Sequence, residues 1–203
     1  MLDLLTQSPI VFALYLGALL IAISIHEFSH AFVADKLGDP TPRLQGRVTL
    51  NPRAHIDLMG ILFLFMFGFG WGRPVQFDPF NLKSPRRDAA LISVAGPISN
   101  FLLAIILTLI YHLTLSPYLI IFIQLNVMLG VFNLLPIHPL DGFKIVGGLL
   151  PEDKAREWYQ LERYGILFLI LLILPIGKGS MISSIISPAI AFVMKLLVAG
   201  GTM

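Results

Sequence analysis

Four stretches of the chain, residues 10 to 34, 89 to 115, 117 to 137 and 181 to 199, are apolar almost without interruption. A helix rises about 1.5 Å per residue and the hydrocarbon core of a bilayer is about 30 Å thick, so roughly 20 such residues make one span. A shorter run, Ile166 to Pro175, reaches that length only by borrowing the turn around Leu161 to Tyr164. Composition agrees: 56% of the 203 residues are hydrophobic and 13% charged, against roughly 25% charged in soluble domains. The expected fold is an all-α polytopic membrane protein with five transmembrane helices.

The block Gly60 to Gly72, "GILFLFMFGFGWG", is too short for an ordinary span and carries four glycines. Four of the 14 basic residues lie between Lys36 and Arg53, four between Arg73 and Arg87, and four between Lys144 and Arg163, while the turn near Ser116 and Pro117 has none. Short basic loops stay on the cytoplasmic side. Both flanks of the glycine-rich block are therefore on that side, and the block is expected to dip into the membrane and return, the alternative being a short helix that crosses. Non-helical backbone at that depth needs protein or a water-filled cavity beside it, and an extended peptide could pair with its edge by strand addition. This gives an N-terminus outside, five crossings, and one unit over residues 1 to 203. Its core is expected over about 10 to 150, followed by a helical hairpin over about 160 to 203.

The N-terminal run "MLDLLTQSPIVFALYLG" lacks a basic n-region and a small-residue cleavage site, so it reads as a retained span rather than a signal peptide. A net charge of +2 gives no reason to expect a nucleic-acid partner. Basic residues here report topology.

At the end of the first apolar run stands "HEFSH", residues 26 to 30. Burying ionisable groups near the bilayer interior costs about 2.5 to 3.5 kcal/mol each even on the lenient insertion scale, and metal ligation would offset that cost. His26 and His30, at i and i+4, share one helical face one turn apart, the separation that two ligands of one zinc ion need. Glu27 lies about 100° round the helix, placed as the general base of the H-E-x-x-H hydrolase arrangement. A catalytic zinc takes three protein ligands and keeps one open position. The chain has no cysteine, so the third must be His, Asp or Glu.

"NLLPIHPLDG", residues 133 to 142, offers Asp141 beyond a segment broken by Pro136 and Pro139. Charge topology places it at the same membrane level as the histidine pair. His138 and, more weakly, His55 are rival ligands, and His112 reads as an interfacial residue near the opposite face. On the helix "DAALISVAGPISNFLLAIIL", Ala95, Gly96 and Ser99 permit close helix approach. Pro97 frees a carbonyl, and Asn100 either bonds a neighbouring helix or serves the site.

Together these motifs resemble the site-2 protease family of intramembrane zinc metalloproteases, of the peptidase M50 type. "HEFSH" matches its zinc and base motif, "NLLPIHPLDG" its second motif, "AGPISN" the Gly-Pro-x-x-Asn sequence of the core helix, and "GWGRPVQFDP" the segment after the re-entrant element. The resemblance runs from about residue 10 to 150, in the compact branch without PDZ or CBS domains. It implies a three-helix catalytic core and one zinc held by His26, His30 and Asp141, with Glu27 as the base. Asn133 falls where the family has an asparagine that handles substrate or stabilises the reaction. His138 has no role in that pattern.

The implied substrate is a membrane protein or transmembrane peptide in the bilayer. The implied setting is a prokaryotic plasma membrane, with the active site toward the cytoplasm. A transporter would show internal repeats, and "HEFSH" has no counterpart in the second half. A catalytically silent zinc-binding relative would be signalled by loss of Glu27 or of a ligand, and all are present.

Overall fold

The structure is a computed structural model that describes residues 2 to 67, 70 to 176 and 179 to 198. Among these residues the regular secondary structure is helical, apart from one ladder of two-residue strands and an isolated bridge. After a short α1 (Leu2–Gln7), α2 runs over Pro9–Lys36. Its N-terminal proline costs nothing, because the first amides of a helix have no carbonyl to bond. A four-residue α3 (Thr41–Leu44) and a 3-10 turn (Pro52–Ala54) lead to α4 (Leu58–Phe67). Then come α5 (Pro85–Thr114), α6 (Tyr118–Asn133), α7 (Asp141–Leu149), α8 (Glu152–Tyr159) and α9 (Glu162–Ile173). Pro175–Ile176 pairs antiparallel with Gly179–Ser180 and leads into α10 (Met181–Val198).

Three helices, α2, α5 and α10, are long and apolar enough to cross a membrane. At 16 and 12 residues, α6 and α9 rise only about 24 and 18 Å. The chain is an all-α membrane protein, and its outer surface suits lipid as solvent. Ile98, Leu102, Ile105 and Leu109 stand exposed along α5, as do Ile166, Leu167 and Ile170 along α9. Inside, α2, α5 and α6 pack on one another, and α7 lies against α5. The small Ala104 lets Ile123 and Val127 of α6 come close, and Ile190, Val193 and Leu197 of α10 close over them.

The glycine-rich block returns to where it began. Ile56 bridges Gly72 in antiparallel sense, and the Arg73 N–H donates to the His55 carbonyl at 2.8 Å. Ends that hydrogen-bond each other cannot lie on opposite faces of a core about 30 Å thick. The return is tight: a Cβ on Gly60 would stand 2.0 Å from the Trp71 carbonyl oxygen, and one on Gly70 2.3 Å from that of Gly60. Backbone meets backbone there, which only glycine permits.

The helical part of the block offers no pairing edge. Residues 58 to 67 bond within a helix, whereas residues 70 to 78 are not helical, with Gly72 in the bridge to Ile56 and Asp78 in extended conformation. Gly68 and Phe69 of the block, and Gly177 of the C-terminal turn, lie outside the described residues.

Asp39 ties the loops on this side together. Fully buried, its carboxylate accepts from the Thr41 N–H at 3.0 Å, the Asn81 amide at 2.8 Å and the Asp78 N–H at 2.7 Å. Burial alone would raise its pKa, but these donors outweigh it and hold the carboxyl below its usual range. The loop after α2 is thereby fixed to the segment over 70 to 78, whose Val75 N–H bonds Glu27.

Candidate metal centre

The C-terminal half of α2 delivers "HEFSH" as regular helix, so His26 and His30 project side by side. Their rings stand edge to face with centroids 4.6 Å apart and Nε2 atoms 3.0 Å apart. Both are buried, at 4% and 7% exposure. They lie on the backbone of α5, where a Cβ on Gly96 would meet His30 Nε2 at 2.5 Å and His26 Cε1 at 2.6 Å. The small residues of "AGPISN" therefore do more than allow helices to approach. Gly96 is the seat of the imidazole pair.

Each imidazole is oriented through its other nitrogen. His30 Nδ1 is 2.7 Å from the Ile92 carbonyl oxygen. A carbonyl only accepts, so Nδ1 carries the hydrogen, and in the neutral ring Nε2 presents a lone pair. This carbonyl belongs to the residue just before Ser93, whose own carbonyl Pro97 leaves without its helical donor. His26 Nδ1 is 2.7 Å from Asn100 Oδ1, and Asn100 Nδ2 donates to the Ala22 carbonyl at 3.1 Å. The amide oxygen therefore faces His26, which is again the Nδ1–H form. Such bonds from the outer imidazole nitrogen are how metal-binding histidines are usually held.

Asp141, the first residue of α7, completes the group. Its Oδ2 stands 3.1 Å from His26 Nε2 and 3.2 Å from His30 Nε2. That oxygen is buried and accepts no hydrogen bond, in keeping with the neutral Nδ1–H tautomers, in which neither Nε2 has a proton to give. Three lone pairs thus converge with no donor between them, an arrangement that is repulsive without a cation. Ligands about 2.0 to 2.2 Å from a tetrahedral zinc stand roughly 3.3 Å apart, and the observed spacings are close to that. The residues fit a zinc ion, and His26, His30 and Asp141 form the His/Asp/Glu/Cys cluster suited to a metal among the described residues.

Gly96→Ala places a methyl group against both imidazoles. Zinc affinity, read by competition with a chromophoric chelator, is expected to fall at least about tenfold, the lower end of what disturbed ligand orientation costs. Helix content by circular dichroism should not change. Affinity equal to the wild type would mean that the rings do not rest on α5.

Glu27 points toward the segment over 70 to 78. Its Oε2 accepts from the Val75 N–H at 2.9 Å and lies 3.9 Å from Nη2 of Arg47. The buried Arg47 guanidinium also donates to the Arg73 carbonyl, so one cation pins both the carboxylate and the segment across it. Burial lowers the pKa of Arg47 against the opposing pull of Glu27, and Arg73 lowers it further. Arg47 entered the sequence reading only as one of the loop's basic residues, and "GWGRPVQFDP" contains Val75 without singling out its amide.

The rival ligands are engaged elsewhere. His55 is buried, with Nε2 on the Thr49 carbonyl at 2.7 Å. His138 Nδ1 lies 3.6 Å from Glu162 Oε1, and its ring stands edge-on to Phe143. His112 meets the Leu197 carbonyl near the end of α10. Asn133 turns its amide N–H to Leu129, one turn back in its own helix, at 3.0 Å. None of its described contacts reaches the His26, His30 and Asp141 group.

The family model "Peptidase family M50" matches residues 14–117 and 110–174. YwhC of Bacillus subtilis (strain 168) is 41% identical over 175 residues, covering 79% of this chain and 80% of that protein. Rip2 of Mycobacterium tuberculosis (strain ATCC 25618 / H37Rv) is 31% identical over 179 residues, covering 81% of this chain and 68% of that protein. The names of both carry the words zinc metalloprotease. No solved structure is significantly similar. With the family match spanning the elements that build the site, this chain belongs to peptidase family M50.

Proposed function

We propose that the chain is an intramembrane zinc metalloprotease of site-2 type, which hydrolyses peptide bonds in or near the transmembrane segments of membrane proteins. The observation that carries this reading is the convergence of Asp141 Oδ2 on the two histidine Nε2 atoms, within 3.2 Å and without a donor between them. His26, His30 and Asp141 would hold one zinc. When bound, zinc would lower the pKa of a water toward about 7 and polarise the scissile carbonyl.

The protein's own part falls to Glu27. As general base it takes a proton from the attacking water and returns it to the departing amine. Its side chain is 13% exposed and that of Asp141 16%, so solvent reaches the group at its edge. Asn133 would act on the substrate from the end of α6. Loop charges favour entry of that water from the cytoplasmic side, with the N-terminus outside and five crossings of a prokaryotic plasma membrane. In this reading residues 1 to 203 work as one unit on a membrane-protein substrate in the bilayer, with no nucleic-acid partner.

The test is zinc content of the detergent-purified chain, paired with cleavage of a panel of single-span substrates. About one zinc per chain is expected, as for a single catalytic site. Cleavage should stop on chelation and return when zinc is restored. A chain without zinc would return the His, Glu and Asp groups to an ion-path reading, and zinc with no cleavage of any substrate would favour a silent binding protein.

A further inference from the structure

Asn126 stands in the middle of α6 in the sequence "IIFIQLNVMLG" and is fully buried. It touches neither the metal-ligating group nor Glu27. Its Oδ1 accepts from Asn100 Nδ2 at 3.0 Å, and its own Nδ2 donates to the Phe122 carbonyl one turn back at 2.9 Å. The same Asn100 nitrogen donates to the Ala22 carbonyl at 3.1 Å, and Asn100 Oδ1 faces His26 Nδ1 at 2.7 Å. Every end of this chain of bonds except the last is a backbone carbonyl, which can only accept. The direction of each bond is therefore fixed: Phe122 sets the Asn126 amide, and Asn126 with Ala22 sets that of Asn100. The Asn100 oxygen is left for the His26 N–H.

The geometry points to Asn126 as a positioning residue for the metal site, which acts through Asn100 to hold His26 in the tautomer whose Nε2 faces the ion. This rests on the zinc reading proposed above. A polar pair that only glued α5 to α6 would be satisfied by two amides bonding each other. Here Asn126 uses up the second N–H of Asn100 and so stops the amide from turning, while the oxygen, the atom that orients the ligand, is kept out of the helix contact. Loss of Asn126 leaves Asn100 held by Ala22 alone.

The experiment measures zinc affinity of the full chain in detergent by chelator competition, and the visible spectrum of the cobalt-substituted protein. Asn126→Leu is expected to weaken zinc binding by about tenfold, within the range for outer partners of metal ligands, and to shift the cobalt bands. Asn126→Asp still offers an oxygen to Asn100 Nδ2 and should stay within about threefold of the wild type, with its cobalt bands in place, because the one bond that orients Asn100 is kept. Ile123→Ala, which disturbs the packing of the same helix without touching the amides, controls for a merely structural effect. Should Asn126→Leu not survive purification, Asn126→Ala is read in the same way.

Wild-type affinity and cobalt spectrum in Asn126→Leu, or an equal loss in Ile123→Ala, would overturn the role of Asn126 and leave the zinc reading standing. A wild-type chain that binds no zinc overturns both.

Discussion

Glu27→Gln is expected to lower kcat/KM for a single-span substrate by about 10²- to 10⁴-fold, the usual contribution of a positioned general base, while zinc content stays at the wild-type level. The substitution keeps the shape of the side chain, and the Gln oxygen can still accept from the Val75 N–H, now bonded to Oε2 at 2.9 Å. The segment around Val75 should therefore keep its place. What is lost is the ability to take a proton, together with the negative charge 3.9 Å from the buried Arg47. That second loss could by itself loosen the segment, so Arg47→Leu belongs beside it. If Glu27 is the base, the Gln variant should fall far below the Leu variant in cleavage although both retain zinc. Cleavage by Glu27→Gln at wild-type rate would remove Glu27 from the mechanism.

The parts of this site that could be read in advance are the local ones. His26 and His30 are one helical turn apart in sequence, so their convergence follows from helix geometry alone. Asp141 was reachable because the chain lacks cysteine and the charge pattern put it at the right membrane level. The seat under the imidazoles was not reachable in that way. Gly96 read as a packing residue, since nothing in "AGPISN" says which side chains of α2 will lie on it. Asn126 was overlooked although a lone asparagine in an apolar helix is a signal in itself: an uncompensated amide is costly in lipid, so it must have a partner. Asn133 stood in a recognised motif, yet its amide bonds its own helix.

The fold shows the same division. The long runs became α2, α5 and α10, whereas the run over 117 to 137 gave a helix ending at Asn133. Pro136 and Pro139 break the pattern of amide donors just beyond it, and hydropathy does not register that. The return of residues 60 to 72 was legible from charge, because both flanks are basic. That the block is helical up to Phe67 and not helical from Gly70 depended on glycine contacts between distant backbones.

Asp141→Ala is expected to abolish stoichiometric zinc binding and cleavage together, a loss larger than the roughly 10- to 100-fold that outer partners contribute. Removing the carboxylate leaves His26 and His30 as two neutral ligands, with no negative charge against the cation and no nearby replacement. His55 is held on the Thr49 carbonyl, and His138 lies by Glu162 and Phe143. For either to reach the histidine pair, a loop would have to leave those contacts. Asp141→Asn makes the distinction finer: it keeps the volume and one carbonyl oxygen but not the charge, so zinc should bind more weakly than in the wild type and more tightly than in Asp141→Ala. Metal analysis of the three proteins purified in parallel decides this. One zinc per chain retained in Asp141→Ala would show that the third ligand lies elsewhere, and the donor-free convergence of Oδ2 with the two Nε2 atoms would then need another cation or another cause.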